Sequence, residues 1–341
     1  MTPVRIGLIG AGGNVRLRHA PGFHAIEGVE LVSVANRTPE SSAKAAAEYG
    51  ARKVAESPYA LIADPEVDAV CIGTWPYRHM EYTVAALEAG KHVLCEARMA
   101  MDLDEALTMQ RAQEAHPELV AQLVPAPFDF RLGPTVTRLV GEGVLGDLVE
   151  VTVSVLNGSG LDPAAPAHWR HQVRYSGRNV MSFGIYVEVI ERWLGLHASV
   201  RADGTVFIKE RRDAETGSMV AIDVPDSYRV FARMESGVPL SYHFSTVTAG
   251  APASGISIYG TKATLHWTAD DRARLVPHGG TAEELTPDAG TDRGWQVEGD
   301  FVASIRTGAP VRLTSFDDGV AYMRVIDACW RSWRDGVEVR V

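Results

Sequence analysis

The run Val4-Arg5-Ile6-Gly7-Leu8-Ile9-Gly10-Ala11-Gly12-Gly13-Asn14-Val15 passes from an apolar stretch through glycines into a helical pattern ending near Ile26. A short, nearly continuous apolar run bounded by glycine reads as a strand buried on both faces. A glycine turn between such a strand and a helix lets backbone N–H groups approach a pyrophosphate. Gly10 and Gly12 occupy the first two positions of the G-x-G-x-x-G pattern, and Val15 stands at the third. Gly13 and Asn14 complete the turn. An ordinary tight turn is the other reading of the same residues.

Outward from this turn, strand and helix signals alternate. Glu30–Ala35 and Asp68–Gly73 are apolar strands, as are Lys91–Cys95 and Leu119–Val124. Thr38-Pro39 and Ser57-Pro58 each pair a capping residue with a proline suited to a first helical turn. Pro76 opens a helix that Gly90 ends, and Asp102–Ala115 is another. Alternation of this kind predicts an α/β protein with a doubly wound parallel sheet. After Pro125 the pattern changes. Leu148–Leu156 alternates like a half-buried strand, and Asn157–Ser176, rich in Gly, Pro and polar residues, is a long loop. A helix is expected from about Gly177 to Leu194. Strand-like runs follow up to Trp267, and two helices close the chain near Val297–Thr307 and Phe316–Arg334. The second part is therefore expected to be an open, mostly antiparallel sheet with helices.

The 341 residues carry 33 Lys+Arg against 43 Asp+Glu, a formal charge of −10. At about 100–200 residues per domain, two domains are expected, 1–125 and 126–341. The acidic balance argues against a nucleic-acid or anionic-membrane partner, both of which attract basic faces. Cys71 and Cys95 lie inside apolar runs and read as small buried hydrophobes; Cys329 is the third cysteine. No leader-like segment and no long apolar run is evident, so a cytoplasmic protein is expected.

The second strand ends in Asn36-Arg37. An acid at that point bonds an adenosine 2′-hydroxyl and repels a 2′-phosphate; Asn does not repel, and Arg pairs with phosphate. The pair leans toward NADP(H) and leaves NAD(H) open, with Arg37 stacking on adenine and Asn36 bonding ribose.

Gly73-Thr74-Trp75-Pro76-Tyr77-Arg78-His79, Ala85-Ala86-Leu87-Glu88-Ala89-Gly90-Lys91-His92-Val93-Leu94-Cys95-Glu96 and the closing Asp300-Phe301 and Ile305-Arg306-Thr307-Gly308 are recognisable together. With the glycine turn and His19, the chain resembles the Gfo/Idh/MocA family of NAD(P)-dependent oxidoreductases. The resemblance implies an N-terminal Rossmann domain (1–125) binding NAD(P). It also implies a C-terminal α/β domain (126–341) for substrate binding and oligomerisation, whose open sheet forms the subunit interface of a dimer or tetramer. It places Gly10, Gly12, Gly13, Asn14, Asn36, Arg37, Thr74, Trp75, Pro76, His79 and Glu96 around the cofactor. The implied activity is hydride transfer to or from a sugar, sugar derivative or cyclitol.

The chain departs from the family at its catalytic signatures. Where Glu-Lys-Pro is usual it has Glu96-Ala97-Arg98, so the lysine position holds a residue that cannot titrate. Arg98 holds its proton too firmly to shuttle it, but can orient a substrate hydroxyl or anion. In place of Asp-x-Gly-x-His stands Ser182-Phe183-Gly184-Ile185-Tyr186, with Tyr as in glucose–fructose oxidoreductase and dihydrodiol dehydrogenase. Tyr186 is the expected proton-transfer group.

Helical spacing groups Ser182, Tyr186 and Trp193 on one face, and Glu188, Glu191 and Arg192 on another. Glu188 is thereby expected at solvent or an interface. In the long loop, His168-Trp169-Arg170-His171 suits stacking on a pyranose while fixing its hydroxyls, and His168 or His171 offers a titrating group near neutral pH. Arg178, Asn179 and Ser182 are further substrate-side candidates. The His pair lacks a completing carboxylate or thiolate, so no metal site is expected. A redox-neutral reading, transient sugar oxidation with glycosidic cleavage, is the alternative activity, and a catalytically silent nucleotide-binding protein is a third.

Overall fold

The apolar runs flanking the glycine turn form six parallel strands: β1 (Val4–Ile9), β2 (Val29–Ala35), β3 (Lys53–Val54), β4 (Ala69–Ile72), β5 (His92–Cys95) and β6 (Ala121–Leu123). The computed structural model describes residues 3–252 and 254–341. Spatial order is β3-β2-β1-β4-β5-β6, so the chain reverses its direction of winding between β1 and β4. Crevices for ligands in such sheets open at the carboxyl ends of the strands where the order reverses. Gly10 follows β1 there and Gly73 follows β4. Neither tolerates a side chain. A Cβ on Gly73 would meet Val15 at 2.5 Å and the Gly10 carbonyl oxygen at 2.7 Å.

Helix starts in this unit follow the sequence signals. Thr38 accepts from the Ser41 amide with Pro39 in the first turn of Pro39–Tyr49, and Ser57 does the same for Pro58–Ala63. Asp102 caps Leu103–Ala115. The contacts divide the chain into two compact units, the first made of 1–125 and 296–320, the second of 126–295 and 321–341. The returning segment is tied to β6. Leu123 donates to the Thr314 carbonyl at 2.9 Å, and the Gln122 amide donates to the Val297 carbonyl at 3.2 Å.

The second unit is built on nine strands. These are β7 (Leu148–Leu156), β8 (His197–Thr205), β11 (Ser227–Met234), β12 (Pro239–Ser245), β13 (Gly255–Gly260), β14 (Ala263–Thr268), β15 (Arg272–Pro277), β16 (Glu283–Glu284) and β17 (Val339–Arg340). β9 (Glu210–Arg212) and β10 (Met219–Ala221) form a separate hairpin. The order β16-β15-β14-β13-β7-β12-β11-β8-β17 is antiparallel except for β7 beside β12. Alternation decides the faces. On β11, Tyr228, Val230, Ala232 and Met234 are buried, while Arg229, Phe231 and Arg233 are exposed. Helix Phe183–Leu194 covers the buried face. The Phe183 ring lies edge-on to Tyr228, Tyr242 and Phe244, and Trp193 lies edge-on to Trp267. Truncating such a buried aromatic costs about 3–5 kcal/mol.

Two expectations are corrected here. The helix expected from Gly177 starts at Phe183, because Gly177 and Met181 have φ of +62° and +45°, outside the helical region. Glu188, expected at solvent or an interface, is buried within its own unit. Its carboxylate accepts from the Ala126 amide at 3.2 Å and pairs with Arg192 at 2.5 Å. An acidic residue on a helix flank is brought inside when a cation one turn away and a backbone donor satisfy it.

Candidate functional site

In the first unit the glycine turn is held by its own backbone and by Asn36. Gly10 donates to the Ala35 carbonyl at 2.9 Å, Gly12 to the Gly10 carbonyl at 2.7 Å, and Ala11 to the Asn36 side-chain oxygen at 2.7 Å. The Asn36 amide donates onward to the Ser41 carbonyl. Gly10 has φ +73°, and a Cβ there would lie 2.6–2.9 Å from Thr74. Around Gly12 and Gly13 the situation is opposite. A Cβ on Gly13 would meet nothing within 4 Å, and one on Gly12 only the Gly10 oxygen at 3.8 Å. The turn is packed against Thr74 at Gly10 and open around Gly12 and Gly13, and the first N–H groups of a helix lack intrahelical acceptors. These residues fit a dinucleotide pyrophosphate. Arg37 is exposed after β2.

The turn after β4 is pinned by His79, which is fully buried. Its ring nitrogens approach the carbonyl oxygens of Thr74 (2.9 Å) and Arg98 (3.0 Å), and burial lowers its pKa. His79 thus ties the segment carrying Thr74, Trp75 and buried Pro76 to the segment after β5. Trp75 is 37% exposed, tilted against Tyr77. Arg98 is buried.

Glu96, at the end of β5, accepts from the Asn14 side-chain amide, from His19 Nε2 at 2.9 Å and from the Ala97 amide at 3.2 Å. His19 is fully buried, and its Nδ1 lies 2.6 Å from Glu298. Burial opposes the charge on His19, but the two carboxylates outweigh it and raise the pKa to about 9. Glu96 is conversely lowered, burial notwithstanding, by its bonds to His19 and Asn14. Glu298 was not foreseen. It stands 279 positions from His19, and no local motif marks it.

In the second unit, Tyr186 is buried against Phe128 (ring centroids 4.8 Å) and Phe244 (5.4 Å). Burial raises its pKa to about 12. Phe128 and the adjacent Asp129 were also missed by sequence reasoning. Asp129 (φ +69°) takes Arg192 at 2.9 Å and the Trp193 indole N–H at 3.1 Å, which holds Phe128 beside Tyr186. Burial raises the Asp129 pKa to about 6, against the pull of Arg192.

The loop after β7 is ordered by another unforeseen residue. Arg211 on β9 is buried, and its guanidinium donates to the carbonyls of Gly160 (2.7 Å), Asp162 (2.6 Å) and Ala165 (3.1 Å). Within the loop, His168 Nδ1 accepts from the Arg170 amide and His171 Nδ1 from the His168 amide. The Arg170 guanidinium lies over the Trp169 ring at 4.2 Å. His168 is exposed at the loop surface; partial desolvation, then Arg170 and His171, push its pKa down to about 4, and desolvation with Arg211 lowers that of half-buried His171. Both shifts run away from the titration near neutrality expected of this pair, and each Nδ1 is an acceptor already in use.

Arg178 is ion-paired with buried Asp327, which Arg331 also holds. Asn179 is buried and donates to the Ser176 carbonyl at 2.6 Å. Ser182 flanks the Tyr186 helix, its carbonyl accepting from Ile185 at 3.0 Å. Arg178 and Asn179 are thus built into the framework of this unit.

Residues 4–122 match the model of an oxidoreductase family with an NAD-binding Rossmann fold, and residues 134–266 match the C-terminal domain model of the same family. The chain belongs to the Gfo/Idh/MocA family. An uncharacterized oxidoreductase of Synechocystis sp. is 29% identical over 239 residues, 66% of this chain and 63% of that protein. A levoglucosan dehydrogenase of Pseudarthrobacter phenanthrenivorans is 29% identical over 183 residues, 52% of this chain and 46% of that protein. These matches span less than two thirds of either relative. The solved apo form of levoglucosan dehydrogenase shares the fold over the whole chain, with TM-score 0.87 and 22% identity, covering 100% of this chain and 99% of that one. Among the described residues, no helix is long and apolar enough to cross a membrane.

Proposed function

We propose that this Gfo/Idh/MocA protein is an NAD(P)-dependent oxidoreductase that transfers hydride between its nicotinamide cofactor and a sugar, sugar derivative or cyclitol. The observation that carries the reading is the glycine turn, closed by Thr74 beneath Gly10 and open over Gly12 and Gly13. The named substrate of levoglucosan dehydrogenase supports the carbohydrate class. Gly10, Gly12, Gly13 and Asn14 would hold the pyrophosphate, with Thr74, Trp75, Pro76 and Glu96 toward the nicotinamide half. His79 and Asn36 act through the backbone they fix. Arg37, in a β2 terminus without an acid, supports a lean to NADP(H).

Bound nicotinamide supplies or accepts the hydride. Tyr186, held as a neutral phenol, donates a proton to a substrate carbonyl oxygen; removing a proton from an alcohol would require its pKa to fall. The reading therefore favours carbonyl reduction near neutral pH. Within the second unit, Trp169 with Arg170 would stack on the substrate, and neutral His168 would offer its Nε2–H as a donor. The second unit is read as the substrate-binding and oligomerisation domain. Its open sheet face, with Phe231 67% exposed between Arg229 and Arg233, supports a homo-oligomer.

The test is an NMR time course with each oxidised and reduced nicotinamide over a panel of pyranosides, cyclitols and their ketones. Reduced and oxidised cofactor should interconvert in step with the sugar. Glycosidic cleavage with unchanged cofactor, or tight nucleotide binding without turnover across the panel, overturns the reading.

A further inference from the structure

We propose that His19, locked by Glu298, is a positioning residue for the cofactor: it holds the Glu96 carboxylate, charged and in one orientation, toward the nicotinamide half of the bound dinucleotide. This rests on the reading of the glycine turn as a dinucleotide cradle.

A neutral imidazole has one N–H, yet both His19 nitrogens face carboxylate oxygens, Glu298 at 2.6 Å and Glu96 at 2.9 Å. Only the imidazolium donates to both. A buried cation shared by two carboxylates leaves a net negative charge, an arrangement that seldom adds stability compared with apolar packing. The site is nevertheless purpose-shaped. The Glu298 carboxylate lies on Gly22, where a Cβ would come within 2.6 Å of its oxygen.

The two carboxylates are not equivalent. The Glu298 side chain is 3% exposed and that of Glu96 13%, so Glu96 is the member of the triad that reaches outward, beside Asn14 of the glycine turn. β2, with Asn36 and Arg37, lies on the adenosine side of the β1–β4 switch point, and β5 lies on the other. The donors that a dinucleotide presents there are the ribose hydroxyls and the carboxamide, and an ionised carboxylate is purely an acceptor. Among the described residues, the groups facing the triad include neutral Asn14, His79 near Glu96, and the Cys71 thiol, which is raised by burial and by both carboxylates. With His19 raised to about 9, the arrangement persists through neutral pH and is lost when His19 gives up its proton.

Binding of NADH, ADP-ribose and ADP to the full-length protein, measured calorimetrically from about pH 7 to about pH 10, tests this. NADH affinity should hold to about pH 8 and fall about tenfold by pH 10, while ADP, which lacks the nicotinamide half, should not follow. His19→Gln should weaken NADH about tenfold at neutral pH and leave ADP unchanged. Glu298→Gln keeps an acceptor for Nδ1 but removes its charge, so it should move the pH break downward, an effect that a merely structural contact would not produce. If ADP-ribose follows NADH, the ribose hydroxyls are the donors; if it follows ADP, the carboxamide is. A flat NADH profile, equal losses for ADP, or an unmoved break in Glu298→Gln overturns the positioning role. Failure of both NADH and NADPH to bind overturns the cradle reading itself.

Discussion

His19 lies between the carboxylates of Glu96 and Glu298 and is raised to about 9, whereas His168, in the loop after β7 beside Arg170 and His171, is pushed down to about 4. Desolvation acts in the same direction on both rings, fully on buried His19 and only in part on His168, which is exposed at the loop surface. What separates them is the sign of the nearest charges and the number of protons that their hydrogen bonds require. Both His19 nitrogens must donate. His168 uses Nδ1 as an acceptor for the Arg170 amide, which a protonated ring cannot do. One site stores charge inside the protein and the other excludes it, so substitutions should separate them by size and by pH.

Removing His19 has the largest expected effect. His19→Ala leaves two buried carboxylates facing each other and should cost about 3–5 kcal/mol in denaturant unfolding. In the native protein the His19 contribution is fully present below about pH 6.5 and is lost as pH rises through about 9, since the folded state binds the proton more tightly. The melting temperature should fall over that window, and the variant should lack this slope. A cost under about 1 kcal/mol would mean that the triad relaxes without its cation.

Tyr186→Phe comes next, at about 10²-fold in kcat, with NADH affinity and stability nearly unchanged. The hydroxyl has no hydrogen-bond partner among the described residues of its own unit, so its removal leaves Phe128 and Phe244 packed on the same ring. A mild loss would remove Tyr186 from proton transfer and leave the Nε2–H of neutral His168 as the remaining donor toward the substrate oxygen.

How much of this contrast was readable in advance differs between its halves. The parallel sheet, its caps and the glycine turn follow from runs of at most a dozen residues, because backbone geometry there is dictated locally: Thr38 and Ser57 cap, and Gly10 turns. The open sheet of the second unit was legible in outline, since alternation on β7, β11 and β12 survives in the sequence. Charge states were not. Glu96 and His19 were visible as motif residues, but the partner that ionises His19 sits on the returning segment 296–320. Glu188 looked like a surface residue because the Ala126 amide and Arg192 that satisfy it become neighbours only in the fold. Arg211, Phe128 and Asp129 escaped notice for the same reason. Each acts on residues of another element, and nothing in its own neighbourhood marks it.

Arg211→Met should cost about 2 kcal/mol, since three loop carbonyls lose a buried charged donor. The discriminating readouts are limited proteolysis, expected to cut within residues 158–167, and a rise in KM for the sugar with cofactor affinity intact. If the loop stays resistant, the turn at Trp169–His171 orders itself and Arg211 is a passenger.

His168→Ala should be the smallest, about 1 kcal/mol or less in stability, because it deletes a single cap acceptor in a surface loop. Its value lies in the rate profile. A histidine acting as base near neutrality would give a limb in kcat/KM between about pH 6 and 7 that disappears in the variant, together with a loss of at least tenfold. With the ring held neutral from about pH 4 upward, native enzyme and variant should instead run parallel from about pH 5 to 8, offset by the loss of one Nε2–H donor. Parallel curves would confine charge chemistry to the His19 side of the comparison. A vanished limb would show that substrate binding reverses the field around His168, since nothing in the loop itself raises its affinity for a proton.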